Sequence, residues 1–584
     1  MGRQAELQSL HHQLQGSEQV AITAVAGMGG IGKTALAQQY LRQYKSDYPG
    51  GRWYFKVRDQ GLVAQLVGAA ALFGWQLPDS LPNDRARVRW CFDRWRAVFP
   101  GRRLLLLDDV QTYSDVKPYL PTEDSSFQVL MTSRRRFGQP VSRLDLGVLK
   151  PDEALTLLTK LVDNPDRVQS QQTDATELCE WVGRLPLGIE LIGRYLALHE
   201  TLNFAKLQKR LDAKRLQVKA FHQVPEEMAY ETTLQAAFEL SWQDLANEVK
   251  TLAGTLSLFA SDPIPGELIT RALPDWDEED LEDALDEVLV HRNLLQSDQD
   301  GSYQLHQLVR EFVADKLETE LAEQASALQK GVAQALGDVA KRIPQLVTVS
   351  LQQQLLATIP HMAQVTNHMS HVIDDSTDAI WPFVGLARFH TAQSLWPETQ
   401  YWWQACLTMT EQRFGPEHPS TATSLNNLAG LYESMGRYSE AEPLYVRSLE
   451  ISEAQVGPEH PDTATSLNNL AFLYVSLERY QQAEPLYVRS LKIKQVQLGN
   501  NHPSTARGLG NLAFLYELIG RYSDAESLYV QALEINFKVM GQEHPQTHNC
   551  IGSFANFLKK VVKANQSDQL SDHPLTRALL QDLS

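Results

Sequence analysis

The sequence predicts a multidomain chain. It opens with an α/β domain on a parallel sheet, continues through helices, and ends in an α-α superhelix of repeats. Three observations carry that expectation. Short apolar runs alternate with helical stretches through the first 150 residues, the pattern of strands joined by crossover helices. From Pro151 onward apolar positions recur three and four apart, as in Ala154, Leu155, Leu157, Leu158 and Leu161, which is the spacing of one helix face. In the C-terminal part a block of 42 residues repeats itself.

Composition sets the outer bounds. At 584 residues the chain exceeds the roughly 250–300 that one core can serve, so several domains are expected. Hydrophobic content of 43% and charged content of 21% are those of an ordinary globular protein. A formal net charge of −18 disfavours a broad nucleic-acid surface. The four cysteines, Cys91, Cys179, Cys406 and Cys550, are far apart and form no CxxC pair, which points to a reduced chain without zinc or disulfides. The apolar run Val67 to Trp75 is too short to span a bilayer and no leader peptide is evident, so a cytoplasmic protein without a membrane segment is expected.

The strands of the first domain are expected at Val20–Ala26, Trp53–Val57, Leu104–Asp108, Val129–Thr132 and Leu144–Leu149. After the first comes Gly27-Met28-Gly29-Gly30-Ile31-Gly32-Lys33-Thr34, a phosphate-binding loop pattern that opens a helix over Thr34–Tyr44. Glycines let the backbone curl until its amides face phosphate oxygens, and the helix N-terminus favours negative charge. Lys33 supplies a point charge for β- and γ-phosphates, and the Thr34 hydroxyl is a magnesium ligand candidate. The run Leu104 to Leu107 ends in Asp108 and Asp109 at the sheet edge where ligands of open α/β sheets bind. Asp108 is placed to hold the metal through water, and Asp109 to polarise an attacking water.

Beyond Pro151 one hairpin interrupts the helices: Leu294-Leu295-Gln296, a turn at Asp298 to Gly301, then Tyr303-Gln304-Leu305. Helices followed by such a hairpin suggest a winged helix near 235–318. The basic run Lys206, Lys209, Arg210, Lys214, Arg215 and Lys219 reads as the solvated side of one amphipathic helix rather than a docking face.

The repeats begin Gly-Pro-Glu-His-Pro at 415 and 457, Gly-Asn-Asn-His-Pro at 499 and Gly-Gln-Glu-His-Pro at 541, with a degenerate copy before them. The first two copies agree at 30 of 42 positions. Each unit reads as two antiparallel helices, the first opening on a proline, which the unpartnered amides of an early turn tolerate. One unit cannot bury its apolar face, so the copies stack around a groove. Asparagine recurs on the first helix at Asn427, Asn469 and Asn511, with Asn426 and Asn468 beside two of them. Asparagine is a poor helix-interior residue, so its recurrence calls for a reason. Either these amides grip an extended peptide in the groove or they tie adjacent repeats together.

These motifs resemble known families. The repeats are similar to tetratricopeptide repeats in the 42-residue form of kinesin light chains, whose asparagines line a peptide groove. The first 320 residues resemble the NB-ARC branch of the STAND signal-transduction ATPases. Gly2-Arg3-Gln4-Ala5-Glu6-Leu7 is similar to a motif that borders the adenine in that family, which implies a nucleotide role for Arg3. Met131-Thr132-Ser133-Arg134 resembles the sensor strand, implying that Arg134 reads the γ-phosphate. Gly183 to Gly188 resembles the GLPL motif, implying that Pro186 packs on the base. Leu305-His306-Gln307-Leu308-Val309 resembles the MHD motif, implying that His306 meets the β-phosphate of ADP. A lone histidine would otherwise be a capping or surface residue. Gln307 departs from the family's aspartate, so the lock is set differently. The motif that opens at Gly2 follows Met1 directly, so the expectation is that an effector is supplied in trans or has been lost or trimmed.

The domain plan is therefore a P-loop NTPase domain over 1–150, a helical domain over 151–230, a winged helix over 231–320, a helical linker over 321–372, tetratricopeptide repeats over 373–562 and a tail over 563–584. The resemblance implies an ATP- or ADP-dependent switch with Mg2+, acting as a slow ATPase. It would sense a protein or peptide on its repeats and self-associate in the ATP state. Two alternatives stand beside it. One is a transcriptional regulator of the same class that sets its winged helix on DNA, against which the acidic charge speaks. The other is a repeat scaffold with a vestigial nucleotide site, against which intact Lys33, Thr34, Asp108 and Asp109 speak.

Overall fold

The computed structural model describes residues 3–16, 19–24, 30–58, 61–75, 77–78, 81–121, 126–221, 229–373 and 378–583. The side chains of 23–24, 214–221, 229–233 and 582–583 lie outside that description. The chain forms two compact units. One comprises Met1–Asp374 with Arg388–Leu395, the other Asp375–Ala387 with Trp396–Ser584.

The first unit is built on a five-stranded sheet of β1 (Gln19–Ala24), β2 (Arg52–Lys56), β3 (Arg103–Asp108), β4 (Phe127–Thr132) and β5 (Ser142–Leu146), in the order β2-β3-β4-β1-β5. Every pairing is parallel, so all five strands end at one edge. Each expected strand is found within a few residues of its predicted span, although Val25 and Ala26 lie outside the described residues. β3 is buried at every position because strands flank it on both sides and helices cover both faces. On one face Leu105 and Leu107 join Trp53, Phe55, Val129, Met131 and Trp95 in a cluster with the helices Leu62–Leu72 and Asp84–Val98. Full burial of such side chains contributes about 1.5–3 kcal/mol each.

The helical run that follows starts at Pro151–Val162 and includes Gln172–Trp181, Pro186–Leu198, Phe204–Phe221 and Asn247–Leu258. On Phe204–Phe221, Phe204, Leu207 and Leu211 are buried while Lys206, Lys209 and Arg210 are exposed, as an amphipathic helix requires. The basic side chains from Lys214 onward lie outside the described residues. The hairpin forms as β7 (Leu295–Ser297) and β8 (Ser302–Leu305), joined by a third strand, β6 (Ile264–Pro265), in the order β6-β8-β7. Two residues are too few to show a period, which is why β6 was not anticipated. The helix Gln307–Thr319 leaves β8 directly.

In the second unit the helices Pro419–Ser434, Tyr438–Gln455, Pro461–Ser476, Tyr480–Leu498, Pro503–Leu518, Tyr522–Met540 and Pro545–Lys563 follow the repeat period. Local chemistry explains the recurring motif. His418, His460, His502 and His544 each cap a first helix, Nδ1 accepting the amide two residues on at 3.1–3.2 Å. The glycine that starts each copy takes φ of 84 to 106°, a left-handed conformation, and its carbonyl accepts the hydroxyl of a threonine six residues later at 2.7–2.9 Å. Neighbouring copies are tied by Arg479 to Glu442 at 3.0 Å and Arg521 to Glu484 at 2.9 Å. The segment expected as a tail, 563–584, carries a helix among its described residues. Pro574–Leu583 packs on the last repeat, with Leu575, Leu579 and Leu580 against its apolar cluster. Buried Glu526 accepts from the Ser571 amide at 2.6 Å and from the Thr576 hydroxyl at 2.5 Å. The last copy thus gains a second helix against its apolar face.

Candidate functional site

The site lies where the parallel strands end. After β1, Gly32 caps the helix Lys33–Gln43 at φ 92°, a value that favours glycine and lets Lys33 and Thr34 start the helix. Gly27 and Gly29 lie outside the described residues. Gly30, Ile31, Gly32, Lys33 and Thr34 are described, and the loop they form is covered from above. A Cβ on Gly30 would stand 3.2 Å from Leu187 and 3.6 Å from Leu308 Cδ1, and one on Gly32 3.9 Å from Pro186 Cγ. Pro186 opens the helix Pro186–Leu198, so the expected GLPL residues do reach the phosphate loop. Arg3 reaches it too. Its guanidinium donates to the Ile31 carbonyl at 3.3 Å and to the Gly147 carbonyl at 2.6 Å, and pairs with Glu6 at 2.9 Å. Those bonds position the loop, whereas the resemblance gave Arg3 a place beside the adenine.

Asp108 is almost fully buried at the end of β3. Thr34 Oγ1 donates to its Oδ1 at 2.9 Å, Thr132 Oγ1 to the same oxygen, and the Tyr54 hydroxyl to Oδ2 at 3.0 Å. Burial, with the neighbouring carboxylate next, raises the Tyr54 pKa, so the phenol stays a donor. Asp109 follows at φ 57°, its amide donating to Thr132 Oγ1 at 2.9 Å and its carboxylate paired with Arg58 at 3.0 Å. Among the described residues no three His, Cys, Asp or Glu side chains gather as a metal site. One hydroxyl and one carboxylate beside a phosphate loop is nevertheless the donor set that suits magnesium, which keeps waters and takes phosphate oxygens.

Three cationic or protonatable groups converge on the loop. Burial, and after it the Arg134 charge, lowers Lys33 to about 8, against the opposite pull of Asp109 and Asp108. Burial, then Arg134 and Lys33, lowers His306 to about 4, so the imidazole is neutral at pH 7. His306 also caps the helix Gln307–Thr319. Nδ1 accepts the Leu308 amide at 3.2 Å, which leaves the proton on Nε2. The bland role for a lone histidine is thus realised together with a place beside Lys33. Arg134 Nη2 donates to Gln307 Oε1, and Gln307 Nε2 to Glu311 at 3.0 Å. The charges of Lys33 and Arg134 beside a neutral His306 give the loop a positive potential that suits a multiply charged anion.

Tyr54, Arg58 and Thr132 were not singled out from the sequence. The register of β2 on β3, which pairs Lys56 with Asp108, brings Tyr54 within reach of the acid. For Thr132 the sequence signal was a hydroxyl directly after the apolar run Val129 to Met131. On the repeats the asparagine amides meet each other. Asn469 Nδ2 donates to Asn426 Oδ1 at 3.2 Å, Asn468 Nδ2 to Asn469 Oδ1 at 3.3 Å, and Asn511 Nδ2 to Asn468 Oδ1 at 2.9 Å. Asn427, Asn469 and Asn511 remain half-exposed. The inter-repeat alternative therefore has its bonds.

Two families match this chain. The NB-ARC domain matches residues 3–167. The tetratricopeptide repeat matches 378–454, 426–495 and 462–536. Among curated proteins the chain is similar to the regulatory protein AfsR of Streptomyces coelicolor, 32% identical over 302 residues, which are 50% of this chain and 29% of that protein. It is also similar to disease resistance RPP8-like protein 3 of Arabidopsis thaliana, 23% identical over 342 residues, covering 52% of this chain and 36% of the other. The matched part is thus about a third of each relative's length. A solved structure of a signal transduction ATPase with numerous domains (STAND) protein with a tetratricopeptide repeat sensor, from Pyrococcus horikoshii, aligns over 99% of this chain and 91% of its own at 16% identity, with a TM-score of 0.38.

Proposed function

The chain carries an N-terminal NB-ARC domain and C-terminal tetratricopeptide repeats, and from that premise we propose that it is an ATP- and ADP-dependent signal-transduction switch of the STAND class. The observation that supports this most is the convergence of distant segments on the phosphate loop. Pro186 and Leu187 cover Gly30 and Gly32, His306 shares the electrostatic field of Lys33, and Gln307 holds Arg134. A site that only bound or hydrolysed nucleotide would not need its sensing arginine held by a side chain of the hairpin-bearing segment.

In the resting state ADP occupies the loop, with Lys33 on its phosphates and His306 donating from Nε2 to the β-phosphate. Arg134 is occupied by Gln307, so a γ-phosphate has to compete for it. ATP therefore favours an opened arrangement in which the contacts of Pro186, His306 and Gln307 are given up. The opened form self-associates. Thr34 and Asp108 would hold a magnesium ion, which would supply neutralisation of phosphate charge, and Tyr54 and Thr132 keep the Asp108 carboxylate aimed. Asp109 orients the attacking water, and its pairing with Arg58 keeps turnover slow. The repeats sense a protein or peptide, with Asn427, Asn469 and Asn511 lining the groove. Winged-helix and helical-domain roles are assigned here to 231–320 and 151–230. The regulatory name of the Streptomyces relative agrees with a switch.

Light scattering of the full chain with ADP and with a non-hydrolysable ATP analogue tests the proposal. The wild type should enlarge only with the analogue, and His306→Ala should weaken ADP more than ATP and enlarge more readily. A ligand moves an equilibrium only by its differential affinity for the two states. Equal losses for both nucleotides with unchanged size would refute the lock. Salt-sensitive binding to duplex DNA, measured at two salt concentrations, would favour the DNA-regulator alternative instead.

A further inference from the structure

The 42-residue period lets the junctions between repeats be compared position by position. Where a second helix meets the next first helix stand Thr410 with Ser424, Ser452 with Ser466, Lys494 with Gly508, and Asn536 with Cys550. The first two pairs join hydroxyl to hydroxyl, at 3.3 Å and 3.4 Å. At the third junction the pattern breaks in three places at once. Lys494 replaces a hydroxyl, Gly508 replaces serine, and Arg507 stands where Thr423 and Thr465 stand in the preceding copies.

The three changes fit one another. A Cβ on Gly508 would lie 3.6 Å from Lys494 Cδ and 3.8 Å from its Nζ, so the lysine chain runs in van der Waals contact with the bare backbone position. Lys494 is 3% exposed, while Arg507 is exposed on the first helix beside it. Among the described residues neither side chain has a hydrogen bond or ion pair, and the charge that acts on Lys494 is that of Arg507, which has the same sign. A buried ammonium without a counter-charge is costly, and a second cation beside it adds to the cost. Burial accordingly lowers Lys494 to about 8. Two cations with no acid between them, one deep and one at the mouth, make the donor set that recognises an oxyanion.

We propose that this junction is a binding site for an oxyanion group, a carboxylate or a phosphate, held between the Lys494 ammonium and the Arg507 guanidinium. Arg507 lies one turn before Asn511 on the same face of Pro503–Leu518, so a ligand lying along the asparagine row would present its anionic group there. The site itself does not depend on that row, nor on the nucleotide switch.

Hydrogen exchange of peptides spanning 488–512, in the full chain with excess ADP, tests it in chloride, inorganic phosphate and succinate at matched ionic strength. One oxyanion should slow exchange in the wild type by about fivefold at concentrations a few times its Kd. Phosphate-only protection identifies a phosphate group, and succinate-only protection a carboxylate. Lys494→Met should abolish the protection and, in chloride, melt higher than the wild type. Arg507→Thr, which restores the residue of the preceding copies at an exposed position, should also weaken protection, and it carries the test if the lysine variant does not fold. Unchanged wild-type exchange in both anions would overturn the site, as would protection that survives both substitutions.

Discussion

Gln307→Ala isolates the contact that distinguishes this site from a plain phosphate pocket. In the wild type the Arg134 guanidinium donates to Gln307 Oε1, and Gln307 Nε2 is steadied by Glu311 at 3.0 Å. A hydrogen bond with one charged partner contributes ~1.5–3 kcal/mol. Gln307 is half-buried, so the lower end of that range applies. About 1.4 kcal/mol is a factor of ten in an equilibrium constant. Removing the amide should therefore raise the ratio of ATP to ADP affinity by about tenfold, because Arg134 becomes available to the γ-phosphate while the closed form loses a tie. Gln307→Asp should move the ratio the other way by placing a carboxylate opposite the guanidinium. Isothermal titration of the full chain with ADP and a non-hydrolysable ATP analogue gives both affinities. An unchanged ratio in Gln307→Ala, or the same shift in both variants, would refute the competition between Gln307 and the γ-phosphate.

Two further predictions concern the repeats. Glu478 holds φ 58° at the turn where the neighbouring copies have Gly436 at 72° and Gly520 at 78°. Left-handed backbone costs a residue with a Cβ ~1–2 kcal/mol, offset by ~0.4–1 kcal/mol of unfolded-state freedom that glycine adds. Glu478→Gly should therefore stabilise by about 0.5–1 kcal/mol in urea unfolding, and an unchanged or lower midpoint would count against that account. The pair Asn469→Ala and Asn511→Ala removes the two amide bonds that link adjacent copies. At about 1 kcal/mol each this should cost roughly 2 kcal/mol and lower the melting temperature. Unchanged stability with lost activation would instead return these residues to peptide binding alone.

The sequence was most informative where local pattern and tertiary need coincide. Leu104 to Leu107 followed by two acids is commonplace alone, but after a phosphate-loop pattern it reads as a central strand, and β3 is a fully buried strand at that place. The repeats were legible because identity at a fixed period survives any uncertainty about individual helices. What stayed hidden depends on register or on distant partners. Tyr54 and Thr132 meet Asp108 only because three parallel strands align as they do. Arg58 meets Asp109 across the same edge. Asparagine recurrence was visible, yet whether the amides face a peptide or each other depends on how one copy is rotated against the next. The helix Pro574–Leu583 falls outside the repeat's own spacing, and buried Glu526 that receives it gives no local sign of a distant partner.

On the proposed function the loop from Gly30 to Thr34 holds a nucleotide beneath its cover of Pro186, Leu187 and Leu308. Mass spectrometry of small molecules released from the purified full chain tests it most directly, with Lys33→Ala prepared in parallel. Lys33 neutralises phosphate charge that backbone amides cannot, so its loss should weaken binding by at least tenfold, about 1.4 kcal/mol. The account predicts ADP, near one equivalent per chain, in the wild type and little or none in the variant. No nucleotide in the wild type, or equal amounts in both proteins, would contradict it.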